Sequence, residues 1–303
     1  MKFVKEELIK SPLNYSGDKF KLLPQILPYF PDDIDTFVDL FGGGFNVGVN
    51  VKANRVIYND IEPHVVSLLE YFKDNDLYVI LDMIDKYIEY YGLSQTSKYG
   101  YEYYGCNSSK GVADYNKDKY FRLREDYNKD ITNDLLFFVV IIFAFSNQIQ
   151  FNSQGKFNMS VNKRDFNNNI RNNTKRFISK LHDMEVYFFN KDFGDLQLDS
   201  LTSNDFIYCD PPYITGCASY NKSDGWNDSM ENNLLSLLDE LNERGIRFAL
   251  SNVLEHKGKS NEILKEWSKK YKVIHLNNSY GNCNYHTKDK SNNSTDEVLI
   301  INY

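Results

Sequence analysis

Cysteine and histidine are scarce and scattered: four cysteines and five histidines in 303 residues. Cys106, Cys209, Cys217 and Cys283 form no Cys-x-x-Cys pair, and no Cys/His or His-x-x-x-His cluster occurs. This pattern predicts reduced thiols in a cytosolic compartment and no metal site. No basic–apolar–small-residue pattern opens the sequence, so no signal peptide is expected. The longest apolar run, 135–145, is about half the length of a membrane span and reads as a core helix or strand, which argues against a membrane partner. Internal repeats are lacking, and so is net positive charge, the formal value being −7.

What is present is unevenly distributed. Between 156 and 180 stand Lys156, Lys163, Arg164, Arg171, Lys175, Arg176 and Lys180, against the single acid Asp165, with asparagines interleaved. Such a stretch is either a solvated surface or the footprint of DNA, and composition leaves both open. A length of 303 residues suits one large α/β domain or two smaller lobes.

Short β-rich runs are predicted at 36–40, 55–58, 185–189, 205–209, 246–251, 272–276 and 297–302, alternating with helical patterns. Leu234, Leu237, Leu238 and Leu241 recur at helical spacing, and Gly245 falls where that helix would end. A further helix is expected from Ser260, burying Ile263, Leu264 and Trp267. Strands separated by helices imply a mostly parallel sheet, with the last run able to return antiparallel. Residues 62–180 break the rhythm. They hold a helix with Ile80, Leu81, Ile84 and Ile88 on one face, a Tyr/Gly/Asn-rich stretch without periodicity, and a hairpin-like segment, 145–158, around Ser153-Gln154-Gly155. The expected organisation is one α/β domain, 1–61 with 181–303, interrupted by a second lobe, 62–180.

One strand runs directly into Asp210-Pro211-Pro212-Tyr213. The amine of adenine is a poor nucleophile because its lone pair is delocalised into the ring. Asp210 can accept one of its N–H groups, the Pro211 carbonyl, held extended by Pro212, can accept the other, and Tyr213 offers a face for the base. A second site is signalled by Asp39-Leu40-Phe41-Gly42-Gly43-Gly44, a strand and a glycine turn. Glycines there allow close approach of a ligand, although a tight strand-to-helix connection is the competing reading, and Val47 stands where the third glycine of a dinucleotide fingerprint would fall. About twenty residues on, Asp60 ends another strand, where a carboxylate can take both ribose hydroxyls. These residues leave NAD and S-adenosylmethionine open. The Asp-Pro-Pro-Tyr motif favours the second, since hydride transfer has no use for it.

Taken in order, the motifs resemble the Dam family of DNA adenine-N6 methyltransferases, most closely its T-even phage branch. The matching strings are Asn14-Tyr15-Ser16-Gly17-Asp18-Lys19, Asp39 to Gly44, Asn59-Asp60-Ile61, Leu123-Arg124-Glu125-Asp126-Tyr127-Asn128, Phe145-Ser146-Asn147, Lys191-Asp192-Phe193, the tetrapeptide, Ser251-Asn252-Val253-Leu254-Glu255-His256, and Thr295-Asp296-Glu297-Val298-Leu299-Ile300. The resemblance implies a Rossmann-like S-adenosylmethionine-dependent methyltransferase sheet with an inserted, mainly helical target-recognition lobe carrying a β-hairpin. It implies double-stranded DNA as partner, a flipped-out adenine as target and S-adenosylhomocysteine as product, with no metal. The setting would be the cytoplasm of a bacterial cell or a phage-infected host, and the role either solitary or the modification half of a restriction system with a cognate endonuclease.

By the same resemblance Asp210, Pro211, Pro212 and Tyr213 are catalytic, with Asp210 an ordinary carboxylate near pKa 4 and not a strong base. Tyr15, Lys19, Asp39, Phe41, Gly42, Gly44, Asp60, Asp192 and Phe193 would serve the cofactor, with Tyr15 and Lys19 closing over it or helping to place the target base. Arg124, Asn152 and Asn158 would contact phosphates, Phe145 and Ser146 would sit beside the extruded base, and Gln148, Gln150 and Arg164 complete the DNA-facing set. Phe145 also ends an apolar run, so core packing competes for it. GATC is the family default. Gln150 stands where arginine is usual and suits adenine better than guanine, while Gln148, Ser160 and Asn14 also depart from the pattern. The segment 99–118 is an insertion with no role assigned. Methylation of RNA adenine or a protein amide, a non-catalytic DNA-binding scaffold and an NAD-dependent oxidoreductase are the alternatives. The tetrapeptide and the inserted lobe speak against each.

Overall fold

A computed structural model describes residues 8–15, 17–215, 225–277 and 295–303. Ser16, Cys217, Cys283 and the polar loop before the last strand lie outside the described residues, while Cys106 and the buried Cys209 are free thiols. In chain order the elements are α1 Leu23–Ile26, β1 Ile34–Asp39, β2 Ala53–Asn59, α2 Pro63–Asp74, α3 Leu77–Tyr91, α4 Thr96–Tyr99, α5 Ala113–Lys129, α6 Asp134–Phe143 and α7 Asn168–His182. There follow β3 Val186–Phe189, β4 Phe206–Cys209, α8 Asp228–Glu243, β5 Arg247–His256, β6 Lys259–Ser260, α9 Glu262–Ser268, β7 Lys272–Leu276 and β8 Thr295–Ile301. Among the described residues no helix is long and apolar enough to cross a membrane.

The chain divides into two compact units. The first holds Lys19–Ile61 and Glu185–Tyr303, and the second holds Ile9–Asp18 and Glu62–Met184. Compared with boundaries drawn at 61/62 and 180/181, this places the end of α7 and the segment carrying Tyr15 in the second unit.

In the first unit the strands form one sheet in the order β3-β2-β1-β4-β5-β8-β7, with β6 paired to β5. From β3 to β5 every pairing is parallel, whereas β8 runs antiparallel to both β5 and β7. Central strands covered on both faces need continuous apolar runs, and β4, Phe-Ile-Tyr-Cys, is buried throughout. On one face the Phe30 ring meets Phe206 and Tyr208 at centroid distances of 4.8 and 5.5 Å. Ile207, Phe248 and Leu250 pack in a core with Leu234, Leu238 and Leu241 of α8. That helix starts at the Asn227 cap, whose side chain accepts from Ser229 N and Met230 N, and the left-handed Gly245 (φ 74°) follows its end.

The second unit is helical and built on α6, whose residues from Leu135 to Phe143 are all buried. A helix apolar on every side belongs at the centre of a bundle, and α2, α3 and α5 contact it. The expected stripe Ile80, Leu81, Ile84 and Ile88 is the buried face of α3. The lack of periodicity in 99–118 has a physical cause: left-handed glycines at 100, 105 and 111 interrupt the chain before Ala113 begins α5. One expectation is corrected here: 145–158 does not form a laddered hairpin. It has only the isolated antiparallel bridges Ala144↔Val161 and Phe151↔Phe157. The pairing shifts by three residues between those bridges, and the helical turn Phe145–Asn147, with Ser146 and Asn147 at φ 54° and 53°, takes up the difference.

Asp205 ties β1 to β4 from the side. Its carboxylate accepts from Thr36 N at 2.8 Å and Thr202 N at 2.7 Å. Burial alone would raise its pKa, but the hydrogen bonds from Thr202 and Thr36 outweigh that and hold it below the ordinary 3.8. Because the folded value is depressed, this stabilisation is complete above pH 3.8 and is lost as pH falls through the folded value. Asp205→Ala is expected to cost about 1–3 kcal/mol near neutrality, since the buried Thr36 N–H and the partly buried Thr202 N–H lose their acceptor, and to flatten the acid limb of a urea-denaturation series below about pH 4.

Candidate active site

Register brings three chemical segments to one edge of the sheet in the first unit. Asp39 stands opposite Tyr208 across β1 and β4, and opposite Tyr58 across β1 and β2. The glycine turn after β1, Asp60 after β2 and the tetrapeptide after β4 therefore leave the sheet side by side at its carboxyl end, where open α/β sheets bind ligands.

The tetrapeptide is organised by a lysine from far upstream. Lys19 Nζ donates to Asp210 Oδ2 at 2.7 Å, and the Tyr213 hydroxyl donates to Asp210 Oδ1 at 2.9 Å. The same ammonium lies 5.1 Å from the Tyr213 ring centre and 3.8 Å from Glu297 Oε1 on β8. Side-chain exposure is 4% for Lys19, 18% for Asp210 and 1% for Glu297, so the cluster is nearly dry yet Asp210 remains reachable. Pro211 is buried, Pro212 exposed and Tyr213 half-buried. Burial raises the Asp210 pKa above its ordinary 3.8, and the Lys19 charge and hydrogen bond offset that only in part. The expectation of an ordinary carboxylate is thus corrected. Lys19, expected to close over the cofactor or help place the target base, pairs with the Asp210 carboxylate. Glu297 was visible only as part of the tail string, with no role attached.

The glycine turn is explained by its own packing. A Cβ on Gly42 would lie 2.1 Å from the Tyr58 ring, and Gly43 is left-handed at φ 48°. Asp60 Oδ2 accepts from Gly43 N at 2.8 Å while the Tyr58 hydroxyl donates to Gly43 O at 2.8 Å, so β2 holds both polar groups of Gly43. Gly44 is buried in the same turn. What points to a ligand is the setting. Asp60 is 7% exposed, whereas the adjoining Ile61 is 67% exposed. Phe41, half-buried, meets Phe193 at 5.4 Å and Trp226 at 5.6 Å, and Asp192 caps the turn before that phenylalanine by accepting from Gly194 N. Sequence reasoning missed Trp226, which lies in no periodic segment. Its indole donates to the buried Glu231, which also accepts from Asn252 and Asn261. Asp39 is fully buried, accepts from Gly48 N at 3.1 Å, and is raised to about 8 by desolvation.

Tyr15 is half-buried and belongs to the second unit, as do the residues expected at DNA. Phe145 is 50% exposed, which removes the core-packing reading. Ser146 is exposed, and its carbonyl accepts from Asn14 Nδ2 at 2.6 Å. Gln148, Gln150, Asn152 and Asn158 are exposed around the buried Ile149, Phe157 and Met159. The Asn152 side chain accepts from Gln154 N and Lys156 N, which closes the tip of the loop. Arg164 donates to the Tyr101 hydroxyl at 2.9 Å, and Arg124 donates to main-chain carbonyls of the loop itself. Asp165, the lone acid of the basic stretch, is 0% exposed and accepts from Ser94 and Thr96, while Arg171 pairs with Asp85. Among the described residues no His/Cys/Asp/Glu group could hold a metal ion.

Residues 15–282 match the D12 class N6 adenine-specific DNA methyltransferases, and the chain belongs to that family. It is 40% identical to Modification methylase StsI of Streptococcus sanguinis, over 98% of this chain and 43% of that protein. It is 41% identical to Type II methyltransferase M.FokI of Planomicrobium okeanokoites, over 97% of this chain and 43% of that one. With Modification methylase LlaI of Lactococcus lactis subsp. lactis the identity is 32%, over 86% and 39% respectively. The chain therefore spans only about two fifths of the length of these relatives.

The raised Asp39 carboxyl stays protonated in the folded chain where the unfolded chain is ionised. Stability should therefore fall as pH rises from 3.8 through about 8. Between pH 6 and pH 9 the wild type is expected to lose about 2 kcal/mol relative to Asp39→Asn, whose side chain does not titrate, as read from urea midpoints at both pH values.

Proposed function

We propose that the chain is a site-specific DNA adenine-N6 methyltransferase acting on an adenine rotated out of duplex DNA. The observation that carries this reading is the Lys19–Asp210–Tyr213 cluster, set beside the glycine turn at the carboxyl edge of the sheet. The surrounding residues fit S-adenosylmethionine. Asp60 and the side-chain-free turn at Gly42 to Gly44 suit its ribose and amino-acid portion, Asp39 lies beneath the turn, and Phe41, Ile61, Asp192 and Phe193 supply apolar and polar edges for its adenine. When bound, that group supplies the methyl and leaves as S-adenosylhomocysteine.

Everything else is work for the protein. Lys19 and Tyr213 fix both oxygens of Asp210, leaving a lone pair on the carboxylate for one N–H of the target amine, and the Pro211 carbonyl takes the other. Holding both hydrogens draws the nitrogen lone pair out of conjugation and orients it for in-line attack. Tyr213 provides a stacking surface. Once alkylated, the nitrogen carries a positive charge and sheds a proton, and an Asp210 raised by burial accepts it more readily than an exposed carboxylate would.

The second unit is proposed to bind the duplex, with exposed cations of 156–180 on phosphates, Phe145 and Ser146 at the vacated position in the stack, and Gln148 and Gln150 at base edges. The target would share the GA core of GATC, with Gln150 favouring a different outer pair. The relatives' names, modification methylases and a type II methyltransferase, support a modification role; the proposal adds a cognate endonuclease as partner and the cytoplasm as setting.

Purified protein should transfer tritiated methyl from S-adenosylmethionine to adenine in duplex DNA, and label confined to RNA or protein would refute the reading. Asp210→Ala should lower turnover by about 10²-fold or more while S-adenosylhomocysteine affinity, measured by equilibrium dialysis, stays within a few-fold of wild type.

A further inference from the structure

Four-residue spacing places Tyr120, Arg124 and Asn128 on one face of α5. All three reach the main chain of the returning arm of the 145–160 loop. The Tyr120 hydroxyl donates to Met159 O at 3.0 Å. Arg124 Nη1 donates to Met159 O at 2.8 Å and to Asn158 O at 3.3 Å. Asn128 makes a two-way contact with Phe157, donating to its carbonyl at 3.0 Å and accepting from its N–H at 2.8 Å. A side-chain amide used in this way substitutes for a neighbouring strand. The arm is held on its other side by Asn158 N donating to Gln150 O at 3.2 Å and by the Phe151↔Phe157 bridge. Asn158 and Gln150, whose exposed carboxamides face solvent, are thereby set in fixed register.

We propose that Tyr120, Arg124 and Asn128 form a clamp on the recognition loop and act as positioning residues for target-sequence discrimination, with Arg124 serving the loop and not a phosphate. The proposal rests on the DNA-reading role given to that loop above. A guanidinium that hydrogen-bonds two successive carbonyls and lies 4.9 Å over the Phe121 ring is oriented by the protein before any DNA arrives. A base-reading carboxamide discriminates only where its position is fixed, because displacement exchanges a bidentate contact for a water-mediated one.

Two measurements on the full chain separate the possible roles. In the first, Arg124→Ala and wild type are titrated with duplex DNA over a salt series. A phosphate contact predicts that the slope of log K against log[salt] shrinks by about 0.9, whereas the clamp predicts an unchanged slope. In the second, methylation of the preferred site is compared with singly substituted sites. Asn128→Ala should reduce discrimination by about ten-fold, within the range a single base-pair mismatch is worth, and Asn128→Asp, which keeps the acceptor for Phe157 N but loses the donor, should reduce it less. Hydrogen exchange at 157–159 should rise in both variants. A smaller salt slope with intact discrimination, or unchanged exchange at 157–159, overturns the clamp. If the wild type methylates no DNA, the functional reading fails by itself, and hydrogen exchange still decides whether α5 holds the arm.

Discussion

A single ion pair in the dry interior organises the carboxyl edge of the sheet. Lys19, at 4% exposure, has Asp210 2.7 Å away and Glu297 3.8 Å off. Removing one member of such a pair leaves an uncompensated buried charge, which costs about 3–5 kcal/mol. Asp210 and Glu297 thus face one ammonium, and any change in one of the three is felt by the other two. The three groups come from residues 19, 210 and 297. The insertion of β8 between β5 and β7 delivers the last of them.

Most of the sheet was legible in the sequence because parallel central strands must be apolar on both faces: the predicted runs fall within two residues of the bounds of β1 to β4, β7 and β8, while β5 continues to His256 and the short β6 carries no such run. Leu234, Leu238 and Leu241 identified α8 for the same reason, with Gly245 as its stop. The tetrapeptide, the glycine turn and Asp60 stood out as residues that follow strands, and the sheet register brings all three to one edge. The partners that tune them did not stand out. Lys19 looks like any lysine early in a helix, and nothing local reveals that it contacts a residue nearly two hundred positions away. The Asp210 pKa likewise depends on burial, which is a property of the fold and not of the motif.

The loop 145–160 shows a different limit. The alternation of polar and apolar residues there agrees with the exposure of Gln148, Gln150 and Asn158 and the burial of Ile149 and Phe157. It could not show that the two arms are offset by three residues, because a period of two survives in each arm separately. The offset is absorbed by a turn containing two non-glycine residues in the left-handed region, a conformation that persists only when the surroundings over-determine it. The anchors, Asn147 donating to the carbonyls of Ile141 and Ile142 and Asn14 donating to Ser146, are side chains whose polarity alone suggested surface.

The seclusion of Asp165 bears on how this acidic molecule meets another charged one. Its carboxylate is enclosed by Ser94 and Thr96, so Lys156, Lys163, Arg164, Lys175 and Arg176 are exposed with no acid of their own segment among them. In a chain of net charge −7 this stretch is thus locally positive. In the proposed DNA-binding role such a stretch would favour approach of the polyanion from that side, ahead of any contact.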